Sequence, residues 1–252
     1  MSYRQVLLDC LAGACDLVLP THCAGCGAAG VRLCAVCGVA LQSVVATPAQ
    51  PDPAPDGFPA TFTAGPYEGV LREVIVGWKD GGRPDLGQDL AFPLRVALAA
   101  AISALEPRES STICLVPAPS SPASIRARGY RPVADLCRSV MRQVPTQIAP
   151  KVVDAIGLQR VVADQSGLSH SQRTANVAGA MKVAPKMVDT LAQSDVILID
   201  DVVTTGSTLT QMALTLQASG VPRVSAATLA ATMRRHPPRR QKVALSEAGE
   251  AD

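Results

Sequence analysis

Apolar residues in the second half of the chain alternate between stripes at helical spacing and short continuous runs. The stripes predict three helices, of which the first ends at Pro107 and the last near Gly220. Their members are Leu90, Leu94, Leu98, Ile102 and Leu105; Val133, Leu136, Cys137, Val140 and Met141; and Leu209, Met212, Ala213 and Leu216. The continuous runs at 113–116 and 196–199 predict buried strands, and residues 224–229 predict a further strand. This alternation is typical of an α/β fold with a parallel sheet flanked by helices.

The rest of the chain divides by composition. Residues 6–19 carry apolar positions at helical spacing, with Asp9 and Asp16 among them, and predict an amphipathic helix rather than a secretory signal. Residues 47–60 are rich in proline and predict an extended linker. We expect an N-terminal module over 1–46, a linker over 47–60, a main domain over 61–232 and a disordered tail over 233–252.

Composition narrows the classes of function. The chain is 48% hydrophobic, which argues against global disorder, and its 23 basic and 21 acidic residues give a net charge of only +2. That balance gives no general attraction to nucleic acid. No uninterrupted apolar run reaches the roughly 18–20 residues of a membrane span. We expect a cytoplasmic protein without membrane insertion.

Four of the eight cysteines form two CxxC pairs: Cys23, Cys26, Cys34 and Cys37. This spacing is typical of a tetrahedral zinc site, and four thiolates leave no open position, so we expect a structural zinc ion. Two disulfides would need an oxidising compartment, and two pairs in series argue against a redox motif. His22 beside Cys23 is an alternative ligand.

The run from Val196 to Leu209 carries the clearest candidate chemistry. A buried strand is expected to end at Asp200 and Asp201, at the edge of the sheet where α/β folds bind ligands. A helix is then predicted to open at a hydroxyl-rich loop made of Thr204, Thr205, Gly206, Ser207 and Thr208. Backbone N–H groups and hydroxyls at such a helix start can hold a phosphate. The acids suit ribose hydroxyls, directly or through Mg²⁺. The sequence therefore predicts a ribose-5-phosphate site, and the absent Gly-Lys-Ser/Thr excludes a Walker A loop.

This run resembles the phosphoribosyl pyrophosphate signature of type I phosphoribosyltransferases. The wider chain resembles the ComF family, related to competence proteins of bacterial DNA uptake. Besides the double CxxC, the resemblance is carried by Tyr67–Arg72, Trp78–Gly82, Val116–Pro119, Arg126–Tyr130, Gln165–Ser169 and Arg173–Val177. It implies a type I phosphoribosyltransferase-like fold with an N-terminal zinc module, and phosphoribosyl pyrophosphate with Mg²⁺ as ligand.

The resemblance also implies roles for single residues. Residues 116–120 would approach the leaving diphosphate, and its charge would be neutralised by Arg126, Arg128, Lys79 and Arg173. Arg173 would belong to a mobile lid that also contains Gln165 and Asn176. The alternatives are a solvated arginine pair, an exposed turn lysine and an ordinary surface loop.

Two departures from the family pattern limit what can be carried over. The usual Arg-Gly-Phe-Asn-Gln element reads Arg128-Gly129-Tyr130-Arg131-Pro132, so the Asn and Gln hydrogen bonds are missing. Thr204 occupies the position at which 6-oxopurine transferases carry an aspartate that handles the base proton. We therefore assign no hypoxanthine or guanine substrate.

Three functions remain open at this point. The first is transfer of phosphoribose from phosphoribosyl pyrophosphate to a nitrogen base, selected by a hood that includes the cysteine module and residues 61–79. The second is a non-catalytic accessory role in DNA uptake, with contact to its machinery or to single-stranded DNA. Aromatic stacking platforms for DNA are missing, and basic residues are grouped only in the tail. The third is a sensor of phosphoribosyl pyrophosphate.

Overall fold

The computed structural model describes residues 21–106, 112–142, 144, 150–158 and 181–232. The predicted helix over 6–19, the predicted lid with Gln165, Arg173 and Asn176, and the predicted tail over 233–252 lie outside these residues.

A six-stranded, mostly parallel sheet forms the centre of the fold. The strands are β1 (Thr47–Pro48), β2 (Ala60–Thr63), β3 (Thr112–Pro117), β4 (Lys151–Val152), β5 (Ile156–Leu158), β6 (Met181–Val183), β7 (Ser194–Val203) and β8 (Val224–Ala231). Their order in the large sheet is β1-β2-β8-β7-β3-β4, and β5 pairs with β6 in a separate antiparallel ribbon. Within the large sheet, β1 pairs antiparallel with β2, and every other pair is parallel. The α/β fold predicted from the sequence is confirmed.

Seven α-helices accompany these strands in the described part of the chain. They are α1 (Ala35–Gln42), α2 (Gly69–Lys79), α3 (Gly87–Leu105), α4 (Pro122–Arg128), α5 (Pro132–Met141), α6 (Val188–Ala192) and α7 (Ser207–Ala218). Short 3₁₀ turns precede α3 and α6, at Pro84–Leu86 and Pro185–Met187. The three helices expected from apolar stripes are confirmed as α3, α5 and α7.

Both faces of the central strand β7 are buried. Ile197 and Ile199 belong to the apolar cluster that contains the stripes of α2, α3 and α5. Val196 and Leu198 belong to a second cluster, which contains the stripe of α7. Alternate residues of one strand thus contact helices on opposite faces, which explains why its sequence is continuously apolar.

The segment Pro84–Leu105 is, by length and composition alone, apolar enough to cross a membrane. Buried helices of soluble proteins pass the same test. Leu90, Leu94 and Leu98 of α3 lie in the first apolar cluster, packed with residues of the sheet. Their packing accounts for the hydropathy of the helix.

Two expectations about the sheet need correction. Asp200 and Asp201 do not end their strand, because β7 continues to Val203 and pairs with β8 as far as Ala231. The proline-rich segment, which we expected to be an extended linker, contacts the body. Residues 47–48 add an edge strand to β2, and the buried Ala49 donates its N–H to the Thr61 carbonyl at 2.9 Å.

The cysteine module packs directly on the main body. Leu41 of α1 lies in the first apolar cluster with residues of α2 and α3. Arg83 donates hydrogen bonds to the carbonyls of His22 at 2.9 Å and Arg32 at 3.3 Å, and Arg32 forms an ion pair with Asp89 of α3. These contacts hold the module beside α2 and α3.

Candidate functional site

Helix α2 brings its last residue to the carboxyl edge of the sheet. Its buried residues Leu71, Val74, Ile75 and Trp78 recur at helical spacing and fix its orientation. The chain before it is attached to the end of β8, since the Tyr67 N–H donates to the Ala231 carbonyl at 2.8 Å. The helix therefore ends close to the carboxyl end of β7.

Lys79, the last residue of α2, forms an ion pair with Asp201 of β7. The Asp201 side chain is only 5% exposed, while that of Lys79 is 35% exposed. Asp201 also accepts the N–H of Val202 at 2.8 Å, and Asp200 accepts the N–H of Asp201 at 2.9 Å. A buried carboxylate is thus held between a lysine and the backbone of its own strand.

The surroundings of the pocket shift the pKa values of Asp200 and Lys79. Burial raises the pKa of Asp200 to about 7, and the neighbouring negative charge of Asp201 adds to this effect. Burial alone would lower the pKa of Lys79, but the carboxylates of Asp201, Asp200 and Asp80 outweigh it and raise that pKa. Lys79 therefore stays charged at neutral pH, whereas Asp200 titrates near neutrality.

A pocket of about 410 Å³ opens between α2 and the ends of β3 and β7. Lys79, Asp200 and Asp201 line it together with Thr204 and Thr208. The opposite wall contains Ala118 and Pro119, which follow β3, and the Ala118 N–H donates to the Ile199 carbonyl at 2.7 Å. The remaining lining residues are Tyr67, Ile75, Val76, Asp80 and Val202.

The hydroxyl-rich loop follows β7 and starts α7. Gly206 caps the helix at φ +76°, a left-handed conformation that favours glycine. A Cβ at this position would lie 2.8 Å from atoms of Phe58 and Pro51, so the proline-rich segment closely covers the loop. The exposed hydroxyls of Thr205 and Ser207 lie 2.9 Å apart. The loop thus presents hydroxyls and the N–H groups of the first helical turn beside the pocket.

Of the arginines that we predicted to contact the diphosphate, the two that the structure describes lie in different positions relative to the pocket. Arg128 forms an ion pair of 2.9 Å with Asp80, a pocket residue. Arg126 is exposed on α4 and is not among the residues that line the pocket. Arg173 lies outside the described residues. The structure therefore brings Lys79 and the acids together and places Arg128 at the rim.

Comparison with known protein families agrees with this arrangement. Residues 125–247 match the family model described as phosphoribosyl transferase domain. The chain carries a phosphoribosyl transferase domain. The matched residues include Asp200, Asp201 and the loop of residues 204–208, whereas Lys79 and the four clustered cysteines lie before them. No curated protein matches the chain.

Ahead of the phosphoribosyl transferase domain, the four cysteines of the module converge. The sulfur atoms of Cys23, Cys26, Cys34 and Cys37 all lie within 4.8 Å of one another, and those of Cys26 and Cys34 are 3.8 Å apart. A tetrahedron with Zn–S bonds of about 2.3 Å has edges of roughly 3.8 Å. All four cysteines are free thiols, and the cluster does not include His22. The four thiols could hold a metal ion such as zinc.

Backbone groups around Cys23 favour its thiolate form. Burial alone would raise the pKa of the Cys23 thiol, but hydrogen bonds from the backbone of Cys34, Gly25 and Cys26 lower it to about 6. The Cys34 N–H donates to the Cys23 sulfur at 3.3 Å. Thiolates are the form of cysteine that binds metals.

Sequence reasoning did not single out Asp80 or Asp154, and it gave no partner for Arg131. Arg131, which replaces the family's asparagine, forms a two-point ion pair with Asp154, at 2.9 and 3.1 Å. Asp154 lies between β4 and β5, and nothing in its local sequence indicates this partner. Only the charge of Arg131 could have indicated an ion pair, because an arginine in place of an amide needs an acid or solvent nearby.

Proposed function

We propose that this protein binds phosphoribosyl pyrophosphate and transfers its phosphoribosyl group to a nitrogen base. The observation that carries the proposal is that three kinds of chemical group lie at one pocket. Some of these groups belong to the residues that match the phosphoribosyl transferase domain, and the others lie beside them. The three groups are the acid pair Asp200 and Asp201, the cation Lys79, and the hydroxyl loop at the start of α7.

Each group suits one part of the ligand. The loop of residues 204–208 binds the 5-phosphate through helix N–H groups and hydroxyls. Asp200 and Asp201 accept hydrogen bonds from the ribose hydroxyls. Lys79 exchanges its contact with Asp201 for the diphosphate, and Arg128 reaches the same group from the rim once it leaves Asp80. Arg126 and Arg173 add positive charge to this end of the pocket in the same proposal.

Mg²⁺ fits the oxygen-rich lining of the pocket. Carboxylates are ligands that Mg²⁺ prefers, and it commonly binds through one or two of them together with phosphate oxygens. Asp200 and Asp201 are carboxylates of the pocket that could serve as these ligands. When bound, Mg²⁺ would neutralise negative charge on the diphosphate.

In the proposed reaction, the bond from ribose C1 to the diphosphate oxygen breaks, and a bond from C1 to the base nitrogen forms. The diphosphate leaves with the electron pair, and the nitrogen releases its proton to solvent water. Lys79 and Arg128 stabilise the leaving group electrostatically. Thr204 lines the pocket with a hydroxyl where 6-oxopurine transferases have a carboxylate, so the acceptor is not expected to be hypoxanthine or guanine.

The experiment that tests this proposal measures diphosphate release with phosphoribosyl pyrophosphate and Mg²⁺ across a panel of nitrogen bases. Release with at least one base supports the transferase. Binding without release for any base favours a sensor. Absence of binding, together with salt-sensitive binding of single-stranded DNA, favours the ComF-like accessory role in DNA uptake.

We further propose that the four clustered cysteines hold a structural zinc ion. Four sulfur ligands leave no position for substrate, and α1 follows directly on Cys34. The free thiols of the described cysteines are compatible with a reducing, cytoplasmic location.

A further inference from the structure

The hydroxyl of Tyr130 contacts the end of α2 at a single point. It donates a hydrogen bond to the carbonyl oxygen of Trp78. The last carbonyls of a helix lack partners within the helix. Those of Val76 and Gly77 accept backbone N–H groups of the following turn, and the hydroxyl of Tyr130 serves the next carbonyl, that of Trp78. A side chain from another part of the chain therefore satisfies one of the last carbonyls of α2.

Trp78 directly precedes the two charged residues at the rim of the pocket. Lys79 forms its ion pair with Asp201, and Asp80 forms one with Arg128 at 2.9 Å. Arg128 and Tyr130 flank Gly129, which adopts φ +79° and turns the chain after α4. One tight turn thus holds the end of α2 on both sides of Lys79.

We infer that Tyr130 is a positioning residue, whose hydroxyl fixes Lys79 at the pocket by holding the Trp78 carbonyl. The inference rests on the proposed function for the part in which Lys79 meets a diphosphate. Lysine has a flexible stem with several rotatable bonds, so the position of its ammonium depends on where the helix end is held. Without the hydroxyl, the last turn of α2 can fray and Lys79 samples more positions.

The hydroxyl is well suited to this contact at neutral pH. Burial raises the pKa of Tyr130, so the phenol keeps its proton and remains a donor. The ring is only partly buried and lines a second pocket of about 320 Å³ with Trp78 and Leu136. Tyr130→Phe keeps the ring and removes the hydroxyl. It also restores the residue of the resembled Arg-Gly-Phe-Asn-Gln element, so the variant is expected to fold.

The first test does not need a ligand. The rate at which an acylating reagent modifies the Lys79 amine is measured by peptide mass spectrometry in the wild type and in Tyr130→Phe. We expect the rate at Lys79 to rise about three- to ten-fold, the range that loss of one hydrogen bond allows. The rate at the exposed Lys151 serves as an internal control. An unchanged rate at Lys79 overturns the inference.

The second test uses ligands that differ only in the diphosphate. Tyr130→Phe is expected to weaken binding of phosphoribosyl pyrophosphate with Mg²⁺ about three- to ten-fold and to leave ribose 5-phosphate binding unchanged. In a Lys79→Met background the same substitution should have no further effect. Ser43→Ala, which removes a hydroxyl that donates to the Val39 carbonyl of α1, is the matched control.

The outcomes separate this inference from the proposed function. Equal losses for both ligands, or a loss that persists with Lys79→Met, would show a general structural role and overturn the positioning role. If the wild type binds neither ligand, the proposed function fails, and the acylation rate at Lys79 alone decides the role of Tyr130.

Discussion

Lys79 and Asp201 are 122 positions apart in the sequence, yet their side chains form an ion pair at the edge of the pocket. The contact joins the end of α2 to the carboxyl end of β7. Because the Asp201 side chain is almost fully buried, loss of this partner would leave a buried carboxylate without its cation. The pair therefore links the stability of the fold to the chemistry of the proposed site.

Replacing Lys79 by methionine should leave Asp201 as a buried carboxylate without its cation. We expect Lys79→Met to lower the free energy of unfolding by about 1–3 kcal/mol. Lys79→Met combined with Asp201→Asn should regain most of that loss, because the second substitution removes the uncompensated charge. Urea unfolding of the single and double variants measures both effects. Additive losses in the double variant would contradict the coupling.

Asp200 should make the stability of the protein depend on pH. Its pKa is raised to about 7, while an unfolded aspartate titrates near roughly 3.9. Between these values the folded protein binds the proton more strongly, so this group's contribution to stability falls as pH rises and levels off above about 7. Asp200→Asn removes the ionisation. The melting temperature of Asp200→Asn relative to wild type should therefore increase from pH 5 to pH 8.

The exposed Asp189 of α6 provides the control for this pH series. Asp189→Asn removes a carboxylate from an exposed position, and the effect of Asp200→Asn is compared with it at each pH. A difference between Asp200→Asn and wild type that stays constant from pH 5 to pH 8 would mean that the pKa of Asp200 is not raised by its surroundings.

Much of the fold was predictable because β3 and β7 contain continuous apolar runs and β8 is mostly apolar. The acid pair and the hydroxyl loop were equally visible, since they follow such a run directly. Strand β2 was not predictable: its four residues become a strand through pairing with β8, which lies more than 150 residues later in the chain. The extension of β7 through Asp200 and Asp201 has the same cause, because pairing with β8 continues beyond the apolar run.

Contacts between distant charges were the least predictable part of the site. Lys79 was expected near phosphates from resemblance alone, but nothing in the sequence indicated Asp201 as its partner. The same holds for Arg128 with Asp80 and for Arg131 with Asp154. Such pairs depend on how the helices pack on the sheet. The spacing of apolar residues does not determine the register or the angle of that packing.

The two glycines that flank α7 allow the cost of an unfavourable backbone conformation to be measured separately from the cost of a steric clash. Both Gly206 and Gly220 have positive φ, but a Cβ would meet Phe58 and Pro51 only at Gly206, and nothing within 4 Å at Gly220. Gly220→Ala should cost about 1–2 kcal/mol from its backbone conformation. Gly206→Ala should cost more and also weaken binding of ribose 5-phosphate. Equal losses of stability and unchanged ligand binding would contradict the packing of the loop.

Metal analysis tests the cysteine cluster. We expect the purified protein to contain zinc, and Cys26→Ser to lose most of it, because one of four thiolates is removed. Cys137→Ala, which alters a buried cysteine of α5, should keep its zinc. Absorbance after substitution with Co²⁺ reports thiolate coordination directly. Equal zinc contents in the two variants would place the metal elsewhere.

The central claim is that the pocket between α2 and β7 binds phosphoribosyl pyrophosphate. Calorimetric titration with this ligand and Mg²⁺ tests it most directly, on the wild type, Asp201→Asn and Asp195→Asn. Asp195 is the matched control, because it is a buried acid of the same strand that pairs with Arg223 at the other end of β7. We predict binding by the wild type and Asp195→Asn, and a loss of about ten-fold or more for Asp201→Asn. Absence of binding by the wild type, or equal affinities for wild type and Asp201→Asn, would contradict the claim.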